Sequence, residues 1–319
     1  MRAEVRRLCA WVFCAFALML AGCATQTHLL QQQGLPGLPR QVELASTPFH
    51  PQERFQCGPA TLAMALNAAG IAITPDTLVP QVFVPQREGS LQPEMMAAGR
   101  RNGALSMTIP PRLDALLAEV AAGHPVIVLQ NLSLPAAPLW HYALVIGYDL
   151  DAGDLVLRSG TTERLSLPLS TFEHTWSRSG YWAMVALSPQ RLPVTVNQAQ
   201  AVEALVAYEK AAPPARALAA YEQALQRWPH DLTLQMGRGN AAYRAGDLRG
   251  AESAFRRAAE EHPGNAAALN NLATVLAELG EYEQATEAAE KAAALDGQWR
   301  EAALATLQAI RAARQRAGR

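Results

Sequence analysis

One cysteine stands where a chain could use a thiol as a nucleophile. Cys57 is followed by Gly58 and Pro59, and then by an apolar run, Thr61 to Ala69, that predicts a helix. A sulfur at a helix N-terminus faces unpaired backbone N–H groups and the positive end of the helix macrodipole, which favour a thiolate. Since the thiolate is the reactive form of cysteine, this position predicts a nucleophile with a lowered pKa. A small buried cysteine that only packs is the alternative.

A cysteine nucleophile needs a base that is close in space rather than in sequence. Of the seven histidines, His141 opens the apolar run from Tyr142 to Tyr148, which predicts a strand. The strand would fix the backbone while the ring faces a cleft. A histidine with a purely structural role is the alternative when His141 is considered alone, and its pairing with Cys57 favours the catalytic interpretation.

Two segments resemble the motifs of one peptidase family. The Gln-Cys-Gly-Pro-Ala segment at 56–60 and the His-Tyr-Ala-Leu-Val-Ile-Gly-Tyr strand at 141–148 are similar to those of the bacteriocin-processing (double-glycine) peptidases. The resemblance covers roughly residues 41–190. It implies a papain-like domain in which Cys57 is the nucleophile and His141 is the general base and acid.

The same resemblance implies an oxyanion donor and a third residue that orients the histidine. Gln52 fits the donor role, together with the Cys57 backbone N–H, although the family commonly places this glutamine six residues before the cysteine rather than five. Gln56 is the competing candidate. Where the family has an aspartate, this chain has Ser159. A hydroxyl can orient an imidazole but stabilises imidazolium less than a carboxylate does.

Helices precede strands between residues 41 and 190. Helices are predicted at Thr61–Ala69, Pro93–Arg101 and Arg112–Ala122, and strands at Val126–Leu129, Tyr142–Tyr148, Leu155–Leu157 and Tyr181–Leu187. The Asp-Ala-Gly-Asp turn at 151–154 predicts a hairpin, and the nearby Asp149 and Asp154 are interpreted as hairpin residues. This order predicts an α+β domain.

A repeat pattern begins near residue 194. Ala217, Ala251 and Ala285 are spaced by 34 residues, and Gly246 and Gly280 mark turns inside two of the repeats. This period and its small-residue columns resemble tetratricopeptide repeats, in which each unit is two antiparallel helices. The first repeat is degenerate, because it carries two prolines at 213–214. Residues 194–319 are therefore predicted to be an all-α repeat domain with a C-terminal capping helix, a type of surface that binds proteins or peptides.

The N-terminus is predicted to be a targeting signal. Residues 1–22 combine a basic start with an apolar stretch, and Leu-Ala-Gly-Cys at 20–23 resembles the lipobox of bacterial lipoproteins. That resemblance implies a diacylglycerol on Cys23 and an envelope location, by preference the outer membrane facing the periplasm. An ordinary secretory signal is the alternative. Residues 23–40, broken by Gly and Pro, are predicted to be a flexible tether.

Three functions remain open from the sequence. The first is a lipid-anchored cysteine peptidase that acts on a protein or peptide, with repeats that bind the substrate or a partner. The second is an inactive peptidase relic that works as an envelope adaptor through its repeats, and the third keeps the thioester chemistry in an acyltransferase or amidase. The net charge of -1 gives no indication of nucleic-acid binding. No metal-ligand spacing or phosphate loop is found, so no cofactor is predicted.

Overall fold

The computed structural model describes residues 25–52 and 56–317 of this protein. These residues form two compact units. The first comprises 25–52, 56–68, 72–95 and 108–185, and the second comprises 69–71, 96–107 and 186–317.

The first unit contains an antiparallel sheet with helices around it. The elements up to residue 187, in chain order, are α1 (Thr25–Gln33), β1 (Gln41–Glu43), α2 (Cys57–Ala68), α3 (Pro75–Val82), β2 (Phe83–Val84), a 3-10 turn (Pro85–Arg87), β3 (Gly89–Ser90), α4 (Gln92–Arg101), β4 (Leu105–Thr108), α5 (Leu113–Ala121), β5 (Val126–Asn131), β6 (Trp140–Asp149), β7 (Asp154–Ser159), β8 (Thr162–Pro168), α6 (Leu169–Ser177) and β9 (Ala183–Leu187). Within the unit, the strands lie in the order β9–β5–β6–β7–β8, and β1 also pairs with β6.

Helix α2 begins at Cys57 and packs against β6 and β5. It starts four residues before the predicted helix because Pro59 is tolerated in a first turn, where backbone N–H groups have no helical partner. The helix is buried from Gly58 to Leu66.

The hairpin predicted at 151–154 is present, since β6 pairs with β7 and the Asp149 carboxylate accepts the N–H groups of Asp151 and Ala152.

Gly147 permits the pairing of β1 with β6. A Cβ at this position would lie 2.5 Å from the Val42 carbonyl oxygen, so a side chain would force the two backbones apart. The glycine lies in the same strand as His141, which pairs with β5 and β1 along one edge and with β7 along the other.

The segment predicted to be a flexible tether, residues 23–40, is described from residue 25 onwards, and part of it is helical. Thr25–Gln33 form helix α1, and the buried carboxylate of Glu173 in α6 accepts the N–H groups of Gln26 (2.9 Å) and Thr27 (2.7 Å). An anionic group at a helix N-terminus offsets both the unpaired donors and the macrodipole. The predicted signal at 1–22 and the predicted lipidation site Cys23 lie outside the described residues.

The second unit is mostly helical. After residue 190 its helices are α7 (Gln198–Glu209), α8 (Pro214–Arg227), α9 (Leu232–Arg244), α10 (Leu248–Glu261), α11 (Ala266–Glu278), α12 (Tyr282–Ala294) and α13 (Arg300–Ala317). Ala217, Ala251 and Ala285 are fully buried at equivalent places in α8, α10 and α12. Gly246 and Gly280 have positive φ angles of 82° and 79° at the ends of α9 and α11, as their turn positions predict.

Two further glycines let helices approach closely in this unit. A Cβ at Gly237 would lie 2.2 Å from the Tyr221 ring, and one at Gly239 would lie 2.4 Å from the Phe255 ring. The predicted order of an α+β domain followed by an all-α region is confirmed. Among the described residues, no helix is both long enough and apolar enough to cross a membrane.

Candidate active site

Cys57 occupies the first position of α2 and is half-buried. Burial raises the pKa of the thiol, and this effect exceeds the opposite one of the backbone N–H groups of Tyr142, Gly58 and Cys57 itself, which favour the thiolate. The expectation of a lowered thiol pKa is therefore wrong. The helix N-terminus acts as predicted, but loss of water around the sulfur outweighs it.

His141 lies near the start of β6 and pairs in register with Gln130 of β5. Its Nε2 is 2.9 Å from the Ser159 hydroxyl, at the end of β7. Burial lowers the pKa of the His141 imidazole, which favours the neutral ring that can accept a proton. The structure thus brings together the predicted base and the predicted third residue. Their catalytic roles stay predictions.

Gln52 bridges three parts of the domain. Its side-chain carbonyl accepts the Gly160 N–H (3.0 Å), and its amide nitrogen donates to the Thr61 hydroxyl (3.0 Å) and to the Tyr142 carbonyl (3.3 Å). The buried side chain therefore ties α2 to β6 and to the turn after β7. Its role as oxyanion donor stays a prediction, and the amide would have to release one of these partners to fill it. The competing Gln56 precedes α2, where its carbonyl accepts the Ala60 N–H.

Arg158 holds the segment that leads to Gln52. This buried side chain, next to Ser159, donates to the carbonyl oxygens of Ala45 (3.2 Å) and Thr47 (2.9 Å). A guanidinium carries several donors in a fixed plane, so one residue can satisfy several carbonyl groups. Arg158 could not be distinguished from the other arginines in the sequence, because its partners are backbone atoms far away along the chain.

Gly58 lets a second segment approach the start of α2. A Cβ at this position would lie 2.3 Å from the Ser90 hydroxyl oxygen and 2.6 Å from the Ser90 Cβ. The Tyr142 hydroxyl donates to the Ser90 carbonyl (3.2 Å). The glycine that follows the cysteine therefore permits β3 to form one wall beside Cys57.

A cleft of about 930 Å³ runs over these residues and is lined by Cys57, His141, Gln52 and Gly160, among others. Several lining residues were not selected from the sequence. They come from two segments and the end of α6, and they are Arg87, Glu88, Ser90, Leu91, Leu132, Leu139, Trp140, Arg178 and Ser179. Among the described residues, no group of three or more His, Cys, Asp or Glu side chains is placed to hold a metal ion.

Comparison with known proteins also divides the chain into a peptidase-like region and a repeat region. Residues 44–184 match the Peptidase_C39 like family, and residues 203–266 and 236–299 match the tetratricopeptide repeat family. A crystal structure described as a C39-like peptidase from Bacillus anthracis is 18% identical, with a TM-score of 0.40, and covers 47% of this chain and 98% of its own. The first TPR of Spaghetti (RPAP3), bound to an HSP90 peptide, is 21% identical, with a TM-score of 0.34, and covers 38% of this chain and 97% of its own.

No curated protein matches the chain. The two family matches agree with the two motifs around Cys57 and His141 and with the 34-residue period of the repeats. The chain joins a Peptidase_C39-like domain, with an α+β fold, to a region of tetratricopeptide repeats.

Proposed function

We propose that the N-terminal domain is a cysteine peptidase that acts on a protein or peptide substrate through a thioester at Cys57. The observation that supports this function most directly is a shared cleft. Cys57, at the start of α2, lines it together with His141, whose Nε2 is 2.9 Å from the Ser159 hydroxyl. In the tautomer whose Nε2–H donates to the Ser159 hydroxyl, Nδ1 is the ring nitrogen left to take the proton of the thiol.

The reaction starts from a neutral pair. A bound substrate excludes water, the Cys57 thiol gives its proton to His141, and the sulfur attacks the carbonyl carbon. The electron pair of the carbonyl moves to its oxygen, where the Cys57 N–H and the Gln52 amide are the donors that we propose. Imidazolium protonates the leaving amine as the C–N bond breaks, and a water molecule deprotonated by His141 then hydrolyses the thioester.

The remaining parts of the chain have roles in binding and location in this proposal. The repeats of residues 194–319 bind the substrate or a protein partner, an assignment supported by the match to tetratricopeptide repeats. Diacylglycerol on Cys23 anchors the chain in the bacterial envelope, by preference in the outer membrane facing the periplasm, which the Leu-Ala-Gly-Cys sequence at 20–23 supports. Labelling of cells with radioactive palmitate should mark the wild type and not Cys23→Ser.

Cleavage of dye-quenched, unfolded casein tests the peptidase. We expect activity in the wild type, its loss by about a thousandfold or more in Cys57→Ala and His141→Ala, and unchanged activity in His28→Ala. His28 is an exposed histidine on α1, outside the cleft, and serves as the matched control. Mass spectrometry of the stalled enzyme should show an acyl group on Cys57. Casein cleavage that persists in Cys57→Ala would refute the proposal.

A second function is favoured by one observation. Ser159 supplies a neutral hydroxyl where a carboxylate would stabilise imidazolium more strongly. This site would fit an envelope adaptor that lost peptidase activity and works through its repeats. Rescue of a deletion strain separates the two functions: an adaptor tolerates Cys57→Ala but not a chain that ends at Pro193, whereas a peptidase needs Cys57.

A further inference from the structure

Exposed apolar side chains concentrate at the mouth of the cleft. Leu132, Leu139 and Trp140 lie between β5 and β6 or at the start of β6 and are 47%, 59% and 48% exposed. Leu91, between β3 and α4, is 41% exposed. All four side chains line the cleft that contains Cys57, and together they are called the apolar rim below. Single exposed leucines are ordinary on a protein surface, whereas a group of them around one cleft indicates a surface that binds another molecule.

The segment that carries most of the apolar rim is held in place by polar contacts. The Asn131 side-chain oxygen accepts the N–H groups of Ser133 (3.0 Å) and Leu139 (2.9 Å), and the Leu132 N–H donates to the Leu139 carbonyl (2.9 Å). The Arg178 guanidinium donates to the carbonyl oxygens of Asn131 and Ser133. These contacts fix the backbone with its leucines facing the cleft. The exposure is therefore part of a defined conformation.

The chemistry of the whole cleft indicates what would cover the apolar rim. Arg87 and Glu88 also line it, so the cleft offers charged groups beside apolar ones. A polypeptide presents both kinds of group, because its backbone is polar and its side chains can be apolar. A hydrocarbon chain would leave the polar groups without partners. Most large apolar side chains are buried in folded proteins, so an unfolded or extended segment presents several of them together more readily than a folded surface does.

We propose that the apolar rim is a specificity surface that selects unfolded or extended polypeptide segments with large apolar side chains close to the bond to be cleaved. This inference rests on the proposed function for the position of that bond, since Cys57 lies in the same cleft. Covering the rim removes apolar area from water, which supplies binding affinity. The Cys57/His141 pair would then meet only segments that a folded protein does not expose.

Peptide binding to the full-length Cys57→Ala protein tests the rim without cleavage. Two fluorescent ten-residue peptides of equal charge are compared, one with Leu and Phe at four positions and one with Ser and Gln at those positions. We expect the apolar peptide to bind at least about tenfold more tightly, and its Kd to rise about tenfold when Leu139→Ser and Trp140→Ser are added. Leu29→Ser is the matched control, since Leu29 is 49% exposed on α1, outside the cleft. It should leave the Kd unchanged.

A cleavage map with the active protein separates the rim from the peptidase. If the Cys57→Ala protein prefers the apolar peptide through its rim but the wild type cleaves neither peptide, the rim inference holds and the peptidase proposal fails. If the wild type cleaves a peptide library without preference for Leu, Ile, Phe or Met near the bond, or keeps that preference in the rim variants, the rim inference is overturned and the peptidase stands. An unchanged rate of Cys57 alkylation in the rim variants shows that they are folded.

A membrane surface is the remaining occupant that the test must separate. Brominated phosphatidylcholine in vesicles quenches tryptophan that enters the bilayer. Quenching in the wild type that disappears in Trp140→Phe, with unchanged peptide affinity in the rim variants, would assign the rim to lipid and overturn the peptide inference. Equal quenching in both proteins supports it.

Discussion

Exchanging Ser159 for aspartate should strengthen the pair formed by Cys57 and His141. The Ser159 hydroxyl is 2.9 Å from His141 Nε2. A neutral hydrogen bond of this kind contributes about 0.5–1.5 kcal/mol, and one to a charged group about 1.5–3 kcal/mol. A carboxylate in this place should therefore stabilise imidazolium by about 1–1.5 kcal/mol more than the hydroxyl does, which corresponds to about a tenfold larger population of the thiolate–imidazolium pair.

The rate at which iodoacetamide alkylates Cys57 at pH 6 measures that population. We expect Ser159→Asp to react about ten times faster than the wild type, because only the thiolate reacts at a useful rate. Ser159→Ala removes the neutral hydrogen bond, and its kcat/KM for casein should fall by about two- to tenfold. Ser170→Asp adds the same charge at an exposed position of α6 and controls for a general electrostatic effect. Equal alkylation rates in the wild type and Ser159→Asp would refute the reasoning.

Three further changes test other parts of the structure. Glu173→Gln keeps the size of the side chain that caps α1 but removes its charge and replaces one of its two accepting oxygens with an amide donor, so the free energy of unfolding in urea should fall by about 1–3 kcal/mol; an unchanged value would show that the cap contributes nothing. Gly239→Ala places a Cβ 2.4 Å from the Phe255 ring and should destabilise the repeats by about 1–3 kcal/mol, while Gly264→Ala, with open space around it, should not. The third change is pH. Because burial lowers the pKa of His141 in the folded state, this histidine takes up a proton in the unfolded chain at a higher pH than in the folded one, and the free energy of unfolding should fall as the pH drops below the ordinary histidine pKa of 6.5. The fall should be smaller in His141→Gln, and equal falls in the two proteins would contradict the lowered pKa of His141.

The buried strands could be predicted because each of them is a run of apolar residues in the sequence. The strands β5, β6 and β7 extend by a few residues beyond their predicted limits, but each contains the run that predicted it. Strand β8 was not predicted, since most of its side chains are exposed and it lies at the edge of the sheet. An edge strand makes half of its contacts with solvent, so its sequence carries little apolar alternation.

Helix α1 shows a different limit. Its sequence, rich in glutamine, predicts no apolar face, and the contact that caps it comes from Glu173, far along the chain. A partner of this kind can be recognised only once the fold has brought α1 and α6 together. The same holds for Gln52 and Arg158, whose hydrogen bonds join distant backbone groups.

Positions in the candidate site were easier to predict than their electrostatics. The sequence placed Cys57 at a helix start and His141 at a strand start, and both are found there. The direction of the thiol pKa was wrong, because it depends on how much water reaches the sulfur, and neighbouring residues in sequence do not determine that. The apolar rim was missed because exposed leucines in the segment between two strands follow no period.

Uncharged Cys57 and His141 side chains in the empty cleft would also suit the oxidising compartment that we propose for this protein. Within the part of the chain that the structure describes, Cys57 is a free thiol, and in an oxidising compartment the thiolate is the form that oxidants attack. Burial raises the pKa of this thiol and lowers that of His141, so the uncharged form of each group is favoured when the cleft is empty. A substrate that covers the apolar rim would exclude water and place its carbonyl beside the sulfur, and only then would proton transfer lead to reaction. The same burial that slows the attack of oxidants would thereby restrict cleavage to segments that fill the cleft.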